Sequence, residues 1–285
     1  MGKIQVACSS ITWRRMFPEE QVLAEIAQAG YEGAPAGVRD DRSPEETLAV
    51  YARYGLKPAP GYLGAAFWDP AQAEEIVAQA EKAARYMQGL GCTELYVAAS
   101  LTPRRREIAG QVQPADAMSE AEHAQCAKVL DQVGQATLKY GVKACFHNHV
   151  GSYIERRAEI DRLFALVNPQ WVFQGPDLGH LAWAGDDVVA FCQDYAKHMP
   201  TVHLKDINPQ VRQEGVKQGW GYRDFSDHGI FAELGEGMVD FPAILDALNQ
   251  AGFEGWIVVE TDVTQKPTAL ESAIISRKYL RSIGL

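Results

Sequence analysis

The sequence predicts an α/β fold, a (β/α)8 TIM barrel running as a single domain over residues 1–285. Three observations predict it. Roughly eight strand-like apolar runs alternate with helix-like segments, and that alternation implies a parallel sheet. No linker-like shift of composition divides the 285 residues, a length that a closed barrel fills. The GxGxxG signal of an open, doubly wound sheet does not follow the first strand.

Each element has a local reason. Lys3–Cys8 reads as the first strand. Glu19–Ala29 follows as a helix, with Val22, Leu23, Ile26 and Ala27 at helical spacing and Gly30 as its stop. Tyr31–Ala36 is a short second strand. Ser43 and Pro44 open the next helix, which Gly55 ends. Leu56–Tyr62 is a weak third strand, because its two prolines remove ladder donors. Ala71–Leu90 is a long amphipathic helix and Thr93–Ala98 a fourth strand. After a loop of about twenty residues, Ser119 and Glu122 form a capping-box pattern for a helix to Tyr140. Val142–His147 is the fifth strand and Glu155–Val167 its helix. Trp171–Phe173 and Thr201–Leu204 are strands six and seven, with a helix-like segment from Asp186 to Met199 between them. A long loop from Asn208 to Asp240 precedes a helix over Phe241–Ala251. Trp256–Glu260 is strand eight, and a helix over Lys266–Ile283 closes the chain.

Bulk properties exclude several classes. A formal net charge of -10 disfavours nucleic acid, whose phosphates need clustered Lys and Arg. The one compact basic run, Arg104 to Arg106, reads as a solvated loop. The five cysteines, Cys8, Cys92, Cys126, Cys145 and Cys192, are odd in number, widely spaced and free of CxxC pairs. That argues against a disulfide scaffold or a thiolate metal site and for a reducing, cytoplasmic setting. The N-terminus enters a strand directly, with no signal-peptide pattern, and no apolar run is long enough for a membrane span.

Reacting groups in such a barrel sit at the C-terminal ends of strands. Those ends hold His147, Asn148 and His149, then Asp177 with His180, then His203, Lys205 and Asp206, then Glu260 and Asp262. Four of the seven histidines fall on this rim. Singly, an Asp here caps a helix and a His packs in a core. Together, several buried carboxylates would repel and resist desolvation unless a cation joined them. Mixed carboxylate and imidazole ligands suit Mn²⁺, Co²⁺ or Mg²⁺, with Zn²⁺ also compatible. Asp177, His203 and Glu260 make three ligands, and either Glu155 or His147 the fourth. The Gly235–Gly237 stretch, around Glu236, allows close backbone approach to a ligand. Trp220, Tyr222, Arg223 and His228 crowd the same loop. With Trp13 and Trp183 they offer an aromatic wall to a sugar-like ring.

Several segments resemble a known family along nearly the whole chain: GYEGAPAG, HNHVGSYIE, EIDRLF, PDLGHLAWAGDD, VHLKDI, GIFAELGEGMVDFPAIL and GWIVVETD. They are similar to the xylose-isomerase-like barrels of sugar isomerases and epimerases, and within these to the inosose dehydratase branch. The resemblance implies one divalent metal, commonly Mn²⁺ or Co²⁺, held by carboxylates and a histidine. That supports Asp177, His203 and Glu260 and selects Glu155 as the fourth ligand. One departure is GYEGAPAG, where relatives often carry a glutamate at the end of strand two and this chain has Pro35 and Ala36. The departure bears on substrate and proton transfer more than on the metal.

The expected substrate is a small polyhydroxylated ketone, with no nucleic acid or membrane partner. The metal polarises the carbonyl and a base takes the α-proton. Glu260, Glu155, His147 and His149 are the candidate bases, and Lys205 the electrophile or acid. Substrate contacts are expected from Trp13, His149, His180, Arg223, His228 and Glu236. Loss of the β-hydroxyl makes a dehydratase. Return of the proton elsewhere makes an isomerase or epimerase. An endonuclease-like barrel and a non-catalytic sugar-binding barrel are the remaining readings. Barrels of this kind often form dimers or tetramers, so a homo-oligomer is also an expectation.

Overall fold

The structure, a computed structural model, describes residues 4–13 and 16–285. Lys3, the predicted start of the first strand, lies outside the described residues. Eight parallel strands make the barrel wall: β1 (Ile4–Cys8), β2 (Gly33–Pro35), β3 in two segments (Lys57–Ala59 and Gly61–Ala65), β4 (Glu94–Ala99), β5 (Lys143–His147), β6 (Val172–Gln174), β7 (Thr201–Leu204) and β8 (Gly255–Val259). β1 pairs with β2 on one side and β8 on the other, and β8 continues to β7. The second segment of β3 pairs with β4, then β5, then β6.

Two places close the ring. Between the segments of β3 stands Pro60, which has no N–H to donate to a ladder. Between β6 and β7 the ladder is reduced to one parallel bridge, Asp177 to His203, with the His203 N–H donating to Pro176 O at 2.9 Å. That bridge sets two expected metal ligands side by side. The lumen is packed by Ala7, Ala59, Tyr96, Cys145, Trp256 and Val258, with Phe173 against them. The larger apolar layer lies between strands and helices.

The helices α1 (Glu19–Ala29), α2 (Pro44–Ala52), α3 (Ala73–Gly89), α5 (Glu120–Leu138), α11 (Phe241–Gln250) and α12 (Ala269–Ser282) match the periodicity. Ser43 with Glu46 and Ser119 with Glu122 form complete capping boxes. Other segments differ from expectation. The loop after β4 holds a short helix, α4 (Pro103–Glu107), and Arg105 is fully buried rather than solvated. Its guanidinium grips both oxygens of Glu159 at 2.8 and 2.9 Å. The helix after β5 is α6 (Arg157–Phe164), which leaves Glu155 ahead of it. α7 (Leu178–Ala184) is buried on all sides, so it has no polar face to betray a helical period. α8 (Val188–Tyr195) then precedes β7. The expected loop after Asn208 contains α9 (Pro209–Gln218) and α10 (Tyr222–Asp227). Only Gly215 of α9 is buried, so that helix carries almost no apolar stripe. All five cysteines are free and buried. Among the described residues no helix is long and apolar enough to cross a membrane.

Candidate active site

A cavity of about 470 Å³ opens at the C-terminal mouth of the barrel, and His147, His149, His203, Glu260, Tyr62 and Tyr96 help line it. Tyr96 rises from β4 as its floor, 4.4 Å from the His203 ring and 5.5 Å from the His147 ring, centroid to centroid.

The nitrogen and oxygen donors of His147, Asp177 and His203 lie within 4.8 Å of one another. Asp177 divides its carboxylate between two tasks. Oδ1 accepts the His180 N–H and caps α7, while Oδ2 has no hydrogen-bond partner. Asn148 fixes the Asp177 backbone from both sides, donating to its carbonyl and accepting from its N–H. His147 Nδ1 donates to Gly175 O at 3.2 Å, which leaves Nε2 as a lone pair 3.9 Å from Asp177 Oδ2. Neither ring nitrogen of His203 has a partner. His203 Nδ1 lies 3.9 Å from Asp177 Oδ2 and 3.6 Å from Glu260 Oε2. Buried polar atoms are seldom left unpaired. Several of them converging on one point fit a divalent cation, and imidazole with carboxylate is a suitable donor set for one.

Beside this group lies Lys205, fully buried and against the same Asp177 oxygen. Its Nζ is 3.0 Å from Asp177 Oδ2, from Glu260 Oε1, from both oxygens of Asp262 and from His180 Nε2. The Asp177 contact is an ion pair without hydrogen-bond geometry, which reconciles the short distance with an unpartnered Oδ2. Gly179 permits this packing, because a Cβ there would sit 2.5 Å from Lys205 Cβ. Burial acts to neutralise the ammonium, but Asp177, Asp262 and Glu260 outweigh it and hold Lys205 charged. Burial acts to raise Glu260, and Lys205 followed by His203 outweighs it, so Glu260 stays ionised. Asp262 moves the other way, raised by burial and by the neighbouring Glu260 and Asp177 charges despite Lys205.

Three of the site histidines are held neutral by their surroundings. Burial, then the charge of His203, holds His147 well below its usual range. Burial and Lys205 push His149 down to about 4. His180 is lowered by burial, His149 and Lys205. His149 and His180 face each other with ring centroids 3.7 Å apart. Tyr222 stacks on His149 and leans against Trp183, so α10 packs behind the histidines, and neither aromatic lines the cavity.

Other expected site residues stand elsewhere. Glu155, the preferred fourth ligand, accepts the N–H groups of Gly110 and Gly151 at 2.8 Å each and lies 4.0 Å from Arg105. Both its oxygens are thus committed to loop backbone, and it is not in the converging group. His147, the alternative, is. Arg223 is exposed and paired with Asp227. His228 is exposed and stacks on Trp220 at 4.0 Å. Glu236 pairs with Lys266. None of these three lines the cavity. Trp13 is buried, donates to Glu25 and borders a neighbouring cavity instead. The glycine-rich loop approaches a carboxylate of this chain rather than a ligand. Asp206 accepts from Ile207, Gly235, Gly237 and Val239.

Tyr96 is a site residue with no role in the sequence reading, and Asn148 and Asp262, placed on the rim, were assigned no particular task there. Asp262 had a signal: two residues beyond Glu260, strand alternation puts it on the same face. Tyr96 had none, since nothing local marks which aromatic faces the lumen.

This fold and site define a barrel enzyme scaffold, and the chain belongs to the xylose isomerase-like TIM barrel family, whose profile matches residues 23–283. Among relatives, it is 30% identical to the rhizopine catabolism protein MocC of Rhizobium meliloti over 271 residues, covering 91% of this chain and 82% of that one. It is 28% identical to the inosose dehydratase of Geobacillus kaustophilus over 251 residues, covering 86% and 80%. Two solved structures share the fold. The zinc-bound IOLI protein aligns with a TM-score of 0.74 at 16% identity, over 98% of this chain and 97% of that one. The 3-keto-D-glucoside 4-epimerase YcjR of E. coli aligns at 0.72 and 16% identity, over 98% and 100%.

Proposed function

We propose that this chain is a divalent-metal-dependent carbohydrate lyase that dehydrates a keto-cyclitol or keto-sugar in the manner of an inosose dehydratase. The observation that carries the reading is the convergence of His147, Asp177 and His203 donors, both His203 nitrogens among them without a hydrogen-bond partner, beside an ionised Glu260 in a barrel-mouth cavity. Relatives named inosose dehydratase support the reaction class. His147, Asp177, His203 and Glu260 would hold the metal, with Mn²⁺ or Co²⁺ expected and Zn²⁺ or Mg²⁺ compatible. When bound it would act as a Lewis acid on the substrate ketone and make the adjacent C–H acidic.

The residues of the chain then have separable tasks. Glu260 is ionised and lines the cavity, so it is the base for the α-proton. Lys205 keeps it ionised and compensates the charge of Asp177 and Asp262 in a dry interior. His149, held neutral by burial, lines the cavity and orients substrate hydroxyls through hydrogen bonds, while His180, buried behind it, bonds Lys205. Carrying the α-proton, Glu260 is the nearest acid for the departing β-hydroxyl, which leaves as water. Return of that proton to carbon instead gives the isomerase or epimerase outcome.

Incubation of metal-loaded protein with 2-keto-myo-inositol in deuterated water separates these outcomes. A trihydroxylated cyclic 1,2-diketone, absorbing in the ultraviolet through its hydroxy-enone tautomer, is the expected product. Solvent deuterium in an isomeric inosose would replace dehydration by isomerisation. Absence of both at stoichiometric metal would refute the reading for this substrate.

A further inference from the structure

Lys205 faces more acceptors than an ammonium has hydrogens. Asp177 Oδ2, Glu260 Oε1, both oxygens of Asp262 and His180 Nε2 all lie 3.0 Å from its Nζ. An ammonium carries three N–H groups, so these five atoms cannot each receive a hydrogen of their own. Asp177 Oδ2 is buried and has no hydrogen-bond partner. Carboxylate and imidazole atoms crowded round one point are the surroundings of a divalent ion. The ligand atoms of His149, His180 and Asp262 come within 4.8 Å of one another, a spread that one ion can gather. His149 Nδ1 donates to Val150 O at 2.7 Å, which leaves its Nε2 as a lone pair.

Two carboxylates face both this group and the first one. Asp177 Oδ2 is 3.0 Å from Lys205 Nζ and 3.9 Å from both His147 Nε2 and His203 Nδ1. Glu260 turns Oε1 to Lys205 at 3.0 Å and Oε2 to His203 Nδ1 at 3.6 Å. Carboxylates shared by two ligand sets can bridge a pair of ions, which in two-metal sites stand about 3.5–4 Å apart. Here a side chain fills one of the two positions. With all three carboxylates ionised, one divalent ion and one ammonium balance them. The ammonium supplies charge, but it cannot turn a bound water into hydroxide as a metal ion does.

We propose that Lys205 stands in for a second divalent cation. Its ammonium occupies a metal position built from His149, His180, Asp262, Asp177 and Glu260, and so limits the centre to one ion. Truncating the side chain converts that position into a second metal site. This rests on the reading of His147, Asp177 and His203 as a metal site, and the number of bound ions tests the two separately.

The experiment loads purified protein with Mn²⁺, removes the excess, and counts bound ions by elemental analysis and electron paramagnetic resonance. Wild type is expected to hold one ion per chain, with the spectrum of an isolated Mn²⁺. Lys205→Ala is expected to hold two, with the spectrum of an exchange-coupled pair, because the ions share Asp177 and Glu260. Lys205→Asn, whose short amide can join the ligands, is measured alongside and is also expected to hold two. Adding Asp262→Asn to Lys205→Ala should return the count to one. Where truncation unfolds the protein, refolding in excess Mn²⁺ should recover it, since the ion replaces the lost charge. A single ion in both truncated proteins, or failure of both to fold at any Mn²⁺ concentration, overturns the proposal. Two coupled ions in wild type also overturn it, because Lys205 would then have left the position. Wild type without an ion refutes the metal reading of His147, Asp177 and His203, and the proposal with it. One ion in wild type and in both truncated proteins leaves that reading standing and removes only the role of Lys205.

Discussion

Glu155 shows how a single residue can be chemically eligible for a site and physically committed elsewhere. Its carboxylate ties the loop after β4, through Gly110, to the loop after β5, through Gly151, and the latter loop carries His149 and follows directly on His147. Burial raises its pKa to about 7, against the opposing pull of the Gly151 N–H and the Arg105 guanidinium. The sign follows from linkage. A carboxyl raised from its ordinary value of 4.5 holds its proton more tightly when folded, so its contribution to stability falls as pH rises from about 4.5 to 7. The amide introduced by Glu155→Gln does not titrate. The stability difference between wild type and that variant, measured by urea denaturation, should therefore move against wild type by a few kcal/mol over that interval. A difference constant with pH would place the Glu155 pKa near its ordinary value. From sequence, the HNHVGSYIE segment displays Glu155 and His147 equally. Only the course of the loop decides that His147 points into the mouth and Glu155 into the loop backbone.

Among the elements, the stretch from Asp206 to Val239 is organised by one carboxylate. Asp206 accepts four backbone N–H groups, at 2.9 to 3.0 Å, and thereby folds the Gly235–Gly237 loop onto the end of β7. A Cβ on Gly237 would sit 2.2 Å from Asp206 Oδ1, so this approach requires glycine. Asp206→Asn turns one acceptor into a donor facing N–H groups. The expected cost is about 2–4 kcal/mol, and hydrogen exchange should show protection lost first at residues 235–239. Uniform exchange across the chain would contradict that local role. The same stretch explains why α9 and α10 escaped the sequence. α9 is polar on most sides, and α10 spans six residues, too few for a period to emerge. The glycine-rich pattern was legible, but its ligand was an internal side chain.

Across the barrel as a unit, closure of the wall and assembly of the candidate metal site are one event. Among the described residues the Asp177–His203 bridge is the only pairing between the ends of β6 and β7, and it joins two of the converging donors. A cation held there would bind the closed barrel and not the unfolded chain, adding stability by mass action. At a hundred-fold excess over Kd the gain is about 2.7 kcal/mol, or a rise in Tm of several degrees for a chain of this size. Chelator-treated protein titrated with Mn²⁺, Co²⁺ or Zn²⁺ in a thermal-shift assay should show that rise. His203→Ala should lack it, whereas Glu155→Gln should keep it. A metal-induced shift that survives His203→Ala would place the ion elsewhere.

The alternation of strands and helices, and with it the barrel, is written in the residues themselves. It is local, because strand propensity, helix periodicity, capping boxes and glycine stops each act over a few positions. The shared rim of Asp177, His203 and Glu260 is legible for the same reason, since each ends a predicted strand and all strands of a parallel barrel end at one face. The remaining features arise only when the chain closes on itself. Closure set His147 beside Asp177 and His203 and tied Glu155 to loop backbone, buried Lys205 among three carboxylates, and sent Arg223, His228 and Glu236 away from the cavity. Those outcomes depend on which loops touch across the mouth, and contacts between distant positions leave no local period in a chain.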